Sequence, residues 1–217
     1  MKRKSYTLKF NSNSQLEIKV PSYYNENEIG DIINKHQNWI NKQIASYNPE
    51  KVQLIEDLNN FNKIMLLGKT YNLIFDSSID FKGRTFFIDA KDNLILRNRG
   101  TGLKSIEYSY RNNFVEILKN LYSFNELFQE FKINEIKASN ASGRWGSCSA
   151  NGNINMSWRL MMAPLEVITS VFAHELTHTV VFNHSDKFYK ILDKVDRNRK
   201  ESDIWLKENG FILKLYK

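Results

Sequence analysis

Three of the chain's four histidines, His174, His178 and His184, share one window of eleven residues. Their spacing is that of metal ligands. His174 and His178 stand four apart in a segment with a helical apolar pattern, so both imidazoles leave one face about one turn apart and can reach a single cation. Neutral imidazole suits Zn²⁺. Glu175 directly follows the first histidine, giving His174-Glu175-Leu176-Thr177-His178, in which a carboxylate beside two ligands can hold and deprotonate a metal-bound water. The chemistry this predicts is metal-assisted hydrolysis.

A catalytic zinc keeps three protein ligands and leaves the fourth position to water, and His184 is the third candidate. A straight helix would turn it roughly 80° off the shared face, at about 100° per residue. The helix must therefore end before it, and Asn183, which tolerates the left-handed conformation, is placed to end it. A chance His-Glu-x-x-His string is the competing reading. The flanks argue against it: Leu165, Val167, Ile168, Val171, Phe172, Val180, Val181 and Phe182 predict a buried helix, where two imidazoles and a carboxylate are costly without a partner. A purely structural zinc would close with four protein ligands, often cysteines, and Cys148 is the sole cysteine. Nothing nearby supplies that thiol with a base of its own, so it is not read as a nucleophile.

The elements that must position these groups follow from periodicity. Tyr6, Leu8 and Phe10, then Leu16, Ile18 and Val20, alternate around a turn-rich stretch and predict a hairpin. From about residue 27 to 47, Ile29, Ile32, Ile33, Trp39, Ile40, Ile44 and Tyr47 recur at helical spacing, a face to lay on that hairpin. Residues 63–67 and 71–75 flank Gly68-Lys69 as a second hairpin, and residues 85–88 and 94–96 flank a further turn. After Gly102 the pattern becomes helical through Ile106, Tyr110, Phe114, Ile117, Leu118, Leu121 and Tyr122, which sets a soft boundary near residue 100. Strands are predicted at 132–138, 144–148 and 153–158. A helix of about 18 residues then opens at Pro164, with Glu166 at its positive end. Two last helices cover 187–193 and 201–208, with Asn209-Gly210 as a C-cap signal.

Composition bounds the rest. At 217 residues, 41% of them hydrophobic, the chain can bury a real core; nine glycines and three prolines set aside collagen-like and low-complexity readings. No apolar run approaches the about 18 residues of a membrane span, and Met1-Lys2-Arg3-Lys4 is followed by alternating residues rather than the apolar block of a signal peptide. No membrane association and a cytoplasmic location are the expectation, in keeping with one unpaired cysteine. Lys and Arg exceed Asp and Glu by 31 to 24, a charge of +7 that would attract polyanions weakly, but the basic residues are spread out as on an ordinary solvated surface. His36 is read as a surface or half-buried helix residue. Arg197, Arg199 and Lys200 are read as a solvated helix end rather than an oxyanion or polyanion contact. Trp145 is read as core in preference to the wall of a side-chain pocket, and Gly146 as a point of close approach beside a strand edge that an extended substrate could join.

Further motifs surround the histidines: Gly143-Arg144-Trp145-Gly146-Ser147-Cys148-Ser149, Gly152-Asn153-Ile154-Asn155, Trp158-Arg159-Leu160, Ala163-Pro164 with Val167-Ile168, and Asn183-His184-Ser185 followed by Phe188. Together they resemble the YgjP-like metallopeptidase family of zincin-type zinc hydrolases, densely from about residue 142 to 210 and more loosely upstream. The resemblance implies an α+β protein. Residues 101–217 would form a zincin-like catalytic domain, a small mixed sheet with an active-site helix, and residues 1–100 a mainly β amino-terminal region with one helix. It further implies zinc held by His174, His178 and His184, with Glu175 as catalytic base and later acid, acting on a peptide or protein substrate.

Two other readings share the zinc site. Residues 184–189 are similar to SprT-like proteases, which act on protein attached to DNA; such a protein would show nucleic-acid binding that weakens steeply with salt. A non-catalytic, zinc-stabilised binding module would instead unfold on chelation and cleave nothing. The ligand spacing equals that of metzincins, but Val181 stands where their helix-breaking glycine would be, and no later Met-turn follows.

Overall fold

A computed structural model describes residues 6–10, 16–40 and, apart from single residues at 55, 59, 83, 85, 90, 92 and 98, residues 53–214. By contacts the chain forms two units, Met1–Asn60 and Phe61–Lys217. In the first, the predicted hairpin is present as β1 (Thr7–Phe10) paired antiparallel with β2 (Leu16–Lys19). Helix α1 (Glu26–Lys35) starts on a capping box in which the Asn25 side chain accepts from the Glu28 backbone N–H and Glu28 accepts from that of Asn25. The helix predicted to about residue 47 is broken at His36, the C-cap of α1, and its part beyond residue 40 lies outside the described residues. His36 does not stand alone, since its Nε2 lies 2.8 Å from the Tyr6 hydroxyl.

The second unit opens on β3 (Lys63–Leu66) and β4 (Lys69–Phe75). Leu67 and Gly68 both take positive φ, 47° and 80°, the two-residue turn whose twist suits a hairpin. The tip is tied down: Leu67 N–H donates to Met161 O and Gly68 N–H to Met162 O. A Cβ on Gly68 would come within 2.9 Å of Pro164, so the turn also fixes the residue that opens the histidine helix. With β5 (Phe87–Ile88) and β6 (Asn93–Leu96) these strands form a sheet of order β3-β4-β6-β5.

Helix α2 (Arg99–Ser123) buries Ile106, Tyr110, Phe114 and Leu118, the every-fourth-residue stripe read from the sequence. The Tyr110 hydroxyl donates to Met65 O, joining α2 to the sheet. The change from strand to helix near residue 100 therefore falls inside one compact unit, because the strands before it and the helix after it share a core. After the short α3 (Glu126–Gln129) come β7 (Glu135–Ser139), β8 (Gly146–Cys148) and β9 (Asn153–Ser157), in the order β7-β9-β8 with β7 parallel and β8 antiparallel to β9. A 3₁₀ turn over Trp158–Met162 leads to α4 (Leu165–His178), α5 (Asp186–Val195) and α6 (Arg199–Leu213). The architecture is α+β, as expected. No described helix is long and apolar enough to cross a membrane.

Two local expectations are corrected. Asn209-Gly210 does not cap a helix, since α6 runs through to Leu213. Gly210 is there for space: a Cβ would sit 2.8 Å from Cζ2 of the Trp145 indole packed on it. The histidine helix has fourteen residues instead of about 18, and Asn183 does not take the left-handed conformation. The helix tightens and stops at Thr179, whose N–H and hydroxyl both donate to Leu176 O, while Val180 N–H reaches only Thr177 O.

Candidate metal centre

Helix α4 is held on one side by β8 and on the other by α5 and α6. Val167, Ile168, Phe172, Ala173 and Leu176 are buried, which fixes the rotation of the helix and with it the face that carries His174 and His178. The burial is less complete than the sequence suggests. Leu165 is exposed at the helix start, and Val180 and Phe182 are exposed beyond its end, where the chain has already turned.

That turn delivers His184. Its Nε2 lies 3.1 Å from Nε2 of His174, which is also 3.1 Å from Nε2 of His178. The three rings thus converge, as the sequence predicts, on one point. Three imidazoles cannot satisfy one another, because each neutral ring has a single N–H. On His178 that proton is committed: Nδ1 faces Val181 O at 3.0 Å and donates to it, leaving Nε2 as a bare lone pair. An ion about 2.0–2.1 Å from each nitrogen in tetrahedral array would hold the nitrogens roughly 3.3 Å apart. The donor set fits a metal ion.

Electrostatics agree. Burial, then the neighbouring His178 and His184 and the more distant Arg199, push the His174 pKa down to about 4, and burial lowers that of His178. Both shifts favour the neutral ring, the form in which imidazole can bind a metal. Below them lies Phe188, fully buried, its ring centroid 4.9, 4.6 and 4.8 Å from those of His174, His178 and His184. This residue was legible only as a member of a motif; its role as the shared floor of three rings was not. Phe188→Ala is expected to lower stability by about 3–5 kcal/mol, the cost of a buried aromatic cavity, read as a fall in Tm; a smaller loss after metal binding than before it would show the rings re-seated by the ion.

Glu175, 6% exposed, packs against Gly146 of β8. Burial raises its carboxyl pKa to about 7, with Arg144 pulling weakly the other way. A Cβ on Gly146 would lie 2.5 Å from Glu175 Oε1 and 2.6 Å from its Cγ. The close approach expected at Gly146 is therefore made by the carboxylate of this chain. Gly146→Ala must displace Glu175, and a shift of about 1 Å costs on the order of a hundredfold in turnover; peptidase assays with metal analysis would check that turnover falls while metal content does not. Cys148, two residues further along the strand, has its thiol pKa raised by burial and by Glu175, which fits an inert side chain.

The motif residues ahead of α4 secure the loop that enters β8. The Trp158 indole N–H and Arg159 both donate to Asn140 Oδ1, Arg159 stacks on Trp158 at 4.9 Å, and the Ser157 hydroxyl donates to Ala141 O. Trp145 is half-buried rather than core. With Gly146, Val171, Tyr189 and Arg199 it lines a cavity of about 280 Å³ that reaches His174 and Glu175.

A family model for the YgjP-like metallopeptidase domain matches residues 4–209. The chain belongs to that family. No curated protein and no solved structure matches it. A YgjP-like domain is a metallopeptidase domain, so membership makes this a metal-dependent hydrolase with a peptide or protein substrate, and its three histidines are a site that could hold the metal. The match spans both compact units, so the amino-terminal hairpin and helix belong to the YgjP-like architecture.

Proposed function

We propose that this protein is a zinc peptidase in which His174, His178 and His184 hold the ion and Glu175 is the general base and acid. The observation that carries the reading is the convergence of three imidazole nitrogens, two of them spaced 3.1 Å from the third, beside a buried carboxyl with a pKa near 7. Bound zinc would supply Lewis acidity, activating water at neutral pH and polarising a carbonyl. Glu175, whose buried carboxyl is poised near neutrality, would accept a proton from the attacking water and return it to the leaving amine. The substrate backbone would lie along β8, the strand that ends its sheet and carries Gly146 against Glu175, adding an extended strand.

Zinc is preferred over harder divalent ions because the donor set is all imidazole. Metal analysis of protein purified without added metal, paired with a cleavage screen of the wild type and Glu175→Gln, tests the proposal. Stoichiometric zinc and wild-type cleavage lost in the variant are expected; zinc-independent cleavage, or no cleavage of any protein or peptide by the zinc-loaded wild type, would overturn it.

A further inference from the structure

The cavity that reaches His174 and Glu175 is also lined by Arg199, the first residue of α6. This arginine is not a solvated helix end. Its side chain is 22% exposed, its Nε donates to Asp193 Oδ1 at 3.0 Å, and its guanidinium carbon lies 5.3 Å from the centre of the Tyr189 ring. These contacts lock a long side chain in place before any ligand arrives, so less rotamer freedom is lost on binding. The fork is not used up. Nη1 meets Asp203 Oδ2 only at 3.7 Å, beyond hydrogen-bond distance, and Nη2 makes no hydrogen bond or ion pair among the described residues. Trp145, Val171 and Leu206 supply apolar walls to the same cavity, whose 280 Å³ suits one residue of a substrate rather than a length of chain.

We infer that Arg199 is a specificity-determining residue, receiving a carboxylate on the substrate residue that fills this cavity. A planar, fixed guanidinium matches two carboxylate oxygens, which a lone ammonium would not. A nucleic-acid backbone is disfavoured by the enclosure, since a cavity of about 280 Å³ admits one substrate group rather than an extended polyanion. The carboxylate comes from an acidic side chain or from the chain terminus. The inference rests on the peptidase reading for its biological meaning, but its test does not use cleavage.

The experiment is calorimetric titration of the full chain, stripped of metal so that a carboxylate has no ion to bind, with its fold verified by circular dichroism. One probe pair is acetyl-leucyl-leucine and its carboxamide; the other is the amides of acetyl-leucyl-glutamate and acetyl-leucyl-glutamine. The carboxylate member of one pair should bind about ten- to a hundredfold tighter, and that pair names the source. In Arg199→Met the ratio should collapse to about one, and Arg199→Lys should recover only part of it. Asp203→Asn, at an exposed position, should raise the ratio by removing a competing carboxylate, and this arm stands even if Arg199→Met fails to fold. Equal binding of both members of both pairs, a ratio indifferent to Arg199, or no gain in Asp203→Asn would overturn the inference. If chelation unfolds the chain, the zinc-loaded Glu175→Gln protein replaces it, and the criterion becomes the fall in the ratio caused by adding Arg199→Met, because a carboxylate on the ion contributes equally with and without Arg199. A ratio that depends on Arg199 in a protein that cleaves nothing would leave the pocket standing and remove the peptidase reading; cleavage without the ratio would do the reverse.

Discussion

Glu175→Gln is expected to keep stoichiometric zinc and the fold while losing about 10²–10⁴-fold in kcat/KM, the usual contribution of a positioned acid–base group. The substitution removes a proton carrier and keeps its shape, so the loss reports on chemistry. Unchanged turnover would remove the assigned base. The same variant makes an independent statement about stability in the metal-free protein. The Glu175 carboxyl has a folded pKa of about 7 against 4.5 for an ordinary glutamate, with burial the larger cause. Between those values the folded protein holds a proton that the unfolded chain has released, so wild-type stability falls as pH rises through the window and the full penalty is present above about pH 7. Glutamine has no such proton. Metal-free Glu175→Gln should therefore be more stable than metal-free wild type at pH 8, by up to about 3 kcal/mol, and the gap should close by about pH 4. Denaturant midpoints of the two proteins across pH would show it; a pH-independent gap would mean that the carboxyl is ionised and solvated in the folded state.

His178→Ala has the other large expected effect. Removing an outer-shell partner of a metal ligand costs about 10–100-fold in affinity, and removing a ligand should cost more, so the variant should emerge from purification with little zinc. It should also be inactive. His178 is the informative member of the triad because its Nδ1 bond to Val181 O holds the turn that brings His184 back. Its loss should loosen His184 as well as delete a donor, so His178→Ala should lose more zinc affinity than His184→Ala, whose ring is exposed. Competition titrations with a chromophoric chelator measure both. Full zinc occupancy in His178→Ala would count against the ligand set.

Much of the fold was legible because its signals are local. Alternation placed β1, β2 and β9, the Gly68 turn marked the β3–β4 hairpin, and the every-fourth stripe from Ile106 to Leu118 marked α2. Signals that depend on a partner misled. Asn209-Gly210 has the composition of a helix end, yet Gly210 serves the indole of Trp145, a residue distant in sequence. Asn183 has the right type to stop a helix, but hydrogen bonds of Thr179 and Val180 end α4 first. Arg199 sits in a basic stretch that resembles a solvated helix end, and only the fold places Asp193 and Tyr189 around it.

The sequence by itself determined the family, the helix that carries two histidines on one face, and the need for the chain to turn before a third. These follow from residue spacing and helical geometry, which act over a few residues and need no knowledge of what lies across the core. Tertiary structure alone decided that the Glu175 carboxyl lies buried against Gly146, that Phe188 floors all three imidazoles, and that Arg199 shares a cavity with His174 and Glu175. Burial and close approach depend on which surfaces meet, and a shifted pKa or a locked guanidinium exists only after water has been excluded by residues far along the chain.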